Sequence, residues 1–175
     1  MPFKIVLLGY MASGKTTVGK ELEKTLSVPF VDLDKQIEKS ENKKVSQIFE
    51  EHGAIYFRKK EKLVLEEVLS SDKNMVLSLG GGTPCYFDAM NYLNNIEDVY
   101  TVYLDVSIPA LVKRLLPEKA QRPILNGIAS EQELLEFIGK HLFERRPYYH
   151  QAKHKLKVGD ETAEEQARTI AALLF

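Results

Sequence analysis

A single cysteine, Cys85, rules out any intramolecular disulfide and suits a reducing cytosol. No His or Asp pattern stands beside Cys85, so it is expected to pack rather than to act as a nucleophile. The four histidines, His52, His141, His150 and His154, lack metal-site spacing with cysteine or with one another. No stretch approaches the roughly 18 consecutive apolar residues of a membrane-spanning helix. A formal net charge of −1 and the absence of a long basic arm argue against a nucleic-acid partner. Folding signals begin at Phe3, and no signal or transit peptide is expected ahead of them. A cytoplasmic protein that touches neither membrane nor nucleic acid is the expectation.

What is present suffices for one domain with a sizeable core, spanning residues 1–175. Five short apolar runs read as strands: Phe3–Leu8, Pro29–Leu33, Met75–Leu79, Val99–Leu104 and Lys155–Val158. Helical patterns separate them, at Lys15–Leu26, Lys35–Ser40, Ser46–His52, Tyr56–Ser70, Phe87–Leu93, Ile108–Leu115, Glu131–Ala152 and Glu161–Leu174. Strands alternating with helices imply an α/β fold, a parallel sheet covered on both faces. Two connections are longer than the topology requires. The stretch from Asp34 to Asn74 holds several helices between two strands, enough to build a second substrate site. The stretch Leu116–Ser130, with Pro117, Pro123 and Gly127 around Arg122, has the character of a lid.

The most specific segment is Ile5-Val6-Leu7-Leu8-Gly9-Tyr10-Met11-Ala12-Ser13-Gly14-Lys15-Thr16-Thr17. A strand, Gly-x-x-x-x-Gly-Lys-Thr and the start of a helix make a P-loop, whose backbone N–H groups cradle nucleotide phosphates. Chance produces that pattern in fewer than about 1% of chains this long. Residues Ala12 to Thr17 would surround the phosphates, with Lys15 reaching the β- and γ-phosphates and the Thr16 hydroxyl on Mg²⁺. If position 12 requires positive φ, Ala12 is strained.

Four further features narrow the acceptor. Asp32 and Asp34 close the second strand, and alternation places both carboxylates on one side if the chain stays extended; helix N-capping is the competing reading of either. Arg58 and Glu61 share a helix face at i,i+3, so Glu61 can orient the guanidinium toward a substrate carboxylate. Gly80-Gly81-Gly82 follows the third strand and permits close ligand approach. Arg122 lies in the lid, and Arg145 and Arg146 point about 100° apart on a helix, so only one need face the site.

The P-loop, Asp-x-Asp, Phe-Arg-x-x-Glu, Gly-Gly-Gly, Arg-Pro-x-Leu and Glu-Arg-x-Pro-x-Tyr follow one another here in an order and spacing that resemble the shikimate kinases. The resemblance covers essentially the whole chain. It implies a three-layer α/β/α P-loop fold with a five-stranded parallel sheet in order 2-3-1-4-5, as in nucleoside monophosphate kinases. It also implies transfer of the γ-phosphate of ATP to the 3-hydroxyl of shikimate, on the route to chorismate and aromatic amino acids. By the same resemblance Lys15 binds phosphate, Thr16 and Asp32 serve Mg²⁺, and Asp34 bonds substrate hydroxyls. Arg58 and Arg145 clamp the shikimate carboxylate beside Gly80, Gly81 and Gly82; Arg114 stacks on adenine; Arg122 closes over ATP. The shikimate-binding excursion would span about 34–62 and the lid about 115–127, in a monomer. A related small-molecule kinase acting on gluconate or a nucleotide, and a noncatalytic ATP sensor, are the competing readings. The paired arginines and Gly-Gly-Gly argue against the first, and the intact metal and acceptor residues against the second.

Overall fold

The computed structural model describes residues 2–175. Its five strands, β1 (Lys4–Leu8), β2 (Phe30–Asp32), β3 (Met75–Ser78), β4 (Val99–Val106) and β5 (His154–Val158), pair in parallel in the order β2-β3-β1-β4-β5. The order and the parallel pairing are those the resemblance implies. All of β1 is buried, as a central strand covered on both faces must be. The edge strand β5 instead alternates, with Lys155 and Lys157 exposed, which blunts pairing with another chain.

Helices α1 (Lys15–Leu26), α2 (Leu33–Glu41), α3 (Val45–Leu69), α4 (Ala89–Asn95), α5 (Ile108–Leu115), α6 (Glu131–Tyr149) and α7 (Ala163–Leu174) flank the sheet. Several starts are set by side-chain caps: Ser107 for α5, Ser130 for α6, and a Thr162–Glu165 capping box for α7. The expected pair Ser46–His52 and Tyr56–Ser70 is one element, α3, kinked where Gly53 leaves helical geometry at φ 79°. The fourth helix begins at Ala89 rather than Phe87, because Phe87 and Asp88 are both left-handed. The lid stretch is not featureless: Lys119–Gln121 and Pro123–Leu125 form short 3₁₀ turns. No helix among the described residues is long and apolar enough to cross a membrane.

Helix α1 crosses β2 at close range through Gly19, where an added β-carbon would stand 2.2 Å from the Phe30 ring. Substituting Gly19→Val forces the ring or the helix aside, and overpacking of this kind costs about 1–3 kcal/mol. Thermal unfolding should therefore show a midpoint lowered by roughly 2–10 °C; an unchanged midpoint would mean the ring yields freely.

Candidate active site

Strands β1 and β3 lie side by side, and Leu79 N–H donates to the Leu7 carbonyl at 3.0 Å where they end. The two glycine loops that follow, 9–14 and 80–82, therefore leave the sheet together, outside the carboxyl ends of the strands where open α/β sheets bind ligands. They border a cleft of about 740 Å³ lined by Ala12 to Thr17, Asp32, Asp34, Gly80, Gly81, Arg114 and Arg122. Glu118, Glu161, Ala163 and Gln166 line it as well, none of which the sequence reading singled out.

The first loop is crowded. Gly9 sits at φ 152°, and an added β-carbon there would meet Ser13 Oγ at 2.8 Å and the Leu104 carbonyl at 3.0 Å. Position 12 does require the left-handed region: Ala12 has φ 60°, so the anticipated strain is present. Gly14, at φ 97°, caps α1. The Lys15 ammonium bonds back onto the Gly9 and Tyr10 carbonyls at 2.9 and 3.0 Å. Burial pushes Lys15 down to about 8, against the pull of Asp34 and Asp32. Arg114 donates to the Ala12 carbonyl at 3.0 Å, and Arg122 is bonded to Glu118 at 2.6 Å.

The two carboxylates reach the cleft by a different route from the one expected. The strand stops at Asp32, and Leu33 and Asp34 are already helical, so strand alternation does not align them. Asp32 is the N-cap of α2, accepting from Lys35 N–H at 3.1 Å, while Asp34 lies in the first turn. Burial, reinforced by Asp32 and Glu61, pushes Asp34 up from its ordinary 3.8 to about 6.

Opposite the P-loop, Arg58 donates to Glu61 at 2.7 Å. Glu61 is 2% exposed and accepts the Thr83 hydroxyl at 2.6 Å, so the pair is an internal network and not a solvated helix face. A β-carbon on Gly82 would lie 2.5 Å from Arg58 Nη2, so glycine is what lets Arg58 approach the loop, while one on Gly81 would lie 3.4 Å from Arg145 Nη1, in ordinary contact with the second cation. The Arg145 carbon sits 5.7 Å from the centroid of the Tyr10 ring, whose hydroxyl pairs with His141 Nδ1 at 3.0 Å. Tyr149 donates to the Gly81 carbonyl at 2.6 Å. Arg146 instead faces a shallow surface hollow with Phe143 and His150, so of the two adjacent arginines only Arg145 meets the site. Burial raises the Cys85 thiol, which suits its packing role.

Comparison with known proteins identifies close relatives. The family model described as "Shikimate kinase" matches residues 11–174. The shikimate kinase of Flavobacterium johnsoniae is 46% identical over 171 residues, covering 98% of each chain. The crystal structure of shikimate kinase from Bacteroides thetaiotaomicron superposes with a TM-score of 0.89 at 39% identity, covering 98% of each chain. Shikimate kinase from Acinetobacter baumannii, solved in complex with shikimate, gives 0.86 at 31% identity over 99% of this chain and 93% of its own.

Two stability measurements probe the cleft. Ala12→Gly should stabilise the protein by roughly 0.5–1 kcal/mol by relieving the left-handed alanine, raising the unfolding midpoint; a lowered midpoint would show that Ala12 carries no strain. Asp34 holds a proton in the folded chain that the unfolded chain has lost between about pH 4 and pH 6. Its effect on stability therefore worsens as pH rises through that window and is fully adverse above it. Unliganded Asp34→Asn should be more stable than the parent by about 1–3 kcal/mol at pH 7.5. Melting curves should show the gap closing toward pH 4; a gap independent of pH would refute the buried-carboxylate origin.

Proposed function

The chain belongs to the shikimate kinase family, and on that premise we propose that it transfers the γ-phosphoryl group of ATP to the 3-hydroxyl of shikimate, yielding shikimate 3-phosphate and ADP for aromatic biosynthesis. The observation that carries the assignment to this chain's own residues is the convergence of Arg58 and Arg145 on Gly81 and Gly82, beside a P-loop. Two cations facing one glycine loop suit a carboxylate held at a distance from the transferred phosphate.

The division of labour follows from position. Residues Ala12 to Thr17 wrap the phosphates with backbone N–H groups and the start of α1, and Lys15 exchanges its two carbonyl partners for phosphate oxygens. Arg114 and Ala163 bound the part of the cleft open to the base, and Arg122 reaches the phosphates from the lid at about 115–127. Arg58 and Arg145 hold the shikimate carboxylate, with Gly80, Gly81 and Gly82 giving backbone contact within the excursion's reach, at about 34–62. That anchors the ring so that its hydroxyl points at the γ-phosphate. Asp34, ionised above its raised value of about 6, accepts the hydroxyl hydrogen bond and can take the proton as the new P–O bond forms and the bond to ADP breaks. A loose transition state asks little of a base, so positioning dominates.

The donor set fits Mg²⁺. Among the described residues no cluster of three or more His, Cys, Asp or Glu side chains forms a closed metal cage. Mg²⁺ characteristically keeps waters and shares phosphate oxygens with one or two protein ligands. Thr16 and, through water, Asp32 would hold it, where it would neutralise phosphate charge. A cytoplasmic monomer completes the proposal: both half-sites lie within one chain, and a chain with no intramolecular disulfide suits a reducing compartment.

Incubating the protein with ATP, Mg²⁺ and shikimate should give ³¹P resonances of ADP and of one new phosphomonoester; ATP turnover without that ester would sink the assignment. Arg58→Lys loses the bidentate fork, so it should raise the KM for shikimate about tenfold or more while the KM for ATP stays within about twofold. Equal losses for both substrates would remove Arg58 from the clamp.

A further inference from the structure

Arg58 is held by more than its acid. Glu61 fixes one edge of the guanidinium at 2.7 Å, but one edge leaves the group free to rotate about that bond. Two aromatic rings constrain it: Phe57, with its centroid 5.1 Å from the guanidinium carbon, and Tyr86, at 4.2 Å. The nearer is the one that neither helix spacing nor any motif pointed to.

The chain around Tyr86 is arranged to keep it there. Its N–H donates to the Thr83 carbonyl at 3.4 Å, and its own carbonyl accepts from Ala89 at 3.1 Å. Between Tyr86 and α4 the backbone passes through two successive left-handed residues, Phe87 at φ 50° and Asp88 at φ 56°. Aspartate tolerates that region but phenylalanine does not, and strain of the kind Phe87 carries persists where surrounding contacts demand it. The same Thr83 whose carbonyl pins Tyr86 gives its hydroxyl to Glu61. Arg58, Glu61, Thr83 and Tyr86 thus close a circuit of contacts around the guanidinium.

What the ring prevents is visible beside it. A second cavity of about 420 Å³ opens behind Arg58, between α3 and α4, and Tyr86 forms part of its wall. Glu66 and Asp88 also line this space. Lys62 lines it too and already pairs with Glu66 at 3.8 Å, and Asp88 accepts from Asn91 at 2.9 Å, so what the cavity offers a guanidinium released from the ring is room to swing away from the glycine loop.

We infer that Tyr86 is a positioning residue for the acceptor substrate: its ring keeps the Arg58 guanidinium turned toward Gly82 and out of the neighbouring cavity. The inference rests on the reading of Arg58 as a carboxylate clamp, and Tyr86 acts only through it. Tyr86 is 45% exposed, so truncating it does not open the core.

The test is two-substrate kinetics and thermal melting of Tyr86→Ala, Tyr86→Phe, Arg58→Lys and the Tyr86→Ala/Arg58→Lys double variant. Tyr86→Ala should raise the KM for shikimate about 3- to 10-fold, the range of a partly desolvated cation–π contact. Its KM for ATP should stay within about twofold, and Tyr86→Phe, which keeps the ring face, should restore the parent value. In the Arg58→Lys background the alanine should add less than about twofold, since residues acting through one group are not additive. A parental shikimate KM in Tyr86→Ala beside a raised one in Arg58→Lys overturns the inference alone. So does a parallel rise in the ATP KM, a Tyr86→Phe no better than alanine, or effects that multiply in the double variant. A parental KM in Arg58→Lys sinks the clamp reading and this inference together.

Discussion

Everything in the cleft depends on one parallel pairing. Because β1 and β3 run side by side in register, from Lys4 opposite Met75 to Leu7 opposite Ser78, the loops that follow them emerge as neighbours. One loop is shaped for phosphates and the other faces two arginines. Adjacent parallel strands lie about 4.8 Å apart, so donor and acceptor half-sites are brought to within reacting range by backbone hydrogen bonds, before any side chain acts. The buried, apolar faces of β1 and β3 secure that spacing, with Leu7, Leu8, Val76 and Leu77 all excluded from solvent. The same rigidity explains why glycine is needed at 82: a side chain there would push Arg58 off the loop that the sheet has fixed.

The charges gathered on this frame are not at ease without ligand. Lys15 is pushed toward neutrality by burial and Asp34 toward protonation, and each is only partly compensated by the other. Glu61, also buried, has two hydrogen-bond partners, Arg58 and Thr83. The contrast separates two uses of a buried carboxylate. One that is fully bonded serves as scaffold; one left without a hydrogen bond among the described residues is available to a substrate hydroxyl. The instability of the empty cleft is then the counterpart of its affinity for anions.

How much of this could be read from sequence depended on how local the cause was. The P-loop, the α/β alternation and the Arg58–Glu61 pair rest on spacings of a few residues, and they were legible. The strain at Ala12 was legible only as a condition, since the motif leaves that position open and the positive φ comes from the folded loop. The route by which Asp32 and Asp34 enter the cleft was not: whether a strand runs on or stops and is capped turns on one residue's ψ, and Asp serves either outcome. The contact of Tyr10 with His141 spans 131 positions, and Tyr86 meets Arg58 only because Phe87 and Asp88 turn the chain. Asp88 tolerates a left-handed backbone as asparagine does, but Phe87 does not, so the bend had at most half a local signal.

Lys15, Arg114 and Arg122 share a final feature, which bears on how the cleft receives its substrates. Each is satisfied internally: Lys15 by the Gly9 and Tyr10 carbonyls, Arg114 by the Ala12 carbonyl, Arg122 by Glu118. The first two partners are neutral, so a phosphate oxygen that replaces them converts a charge–dipole contact into a charge–charge one, at little reorganisation cost. Arg122 is different, because its partner is an acid that must be given up. The three cations therefore do not answer to a nucleotide equally. Lys15 and Arg114, on the sheet-anchored side, are placed to engage first, whereas Arg122 exchanges one anion for another and gains only if the incoming phosphate offers more charge or better geometry than Glu118. Arg122 and Glu118 both line the cleft already, and an exposed ion pair contributes at most about 1 kcal/mol, so a triphosphate that carries more charge than one carboxylate can draw the guanidinium from its acid within the site.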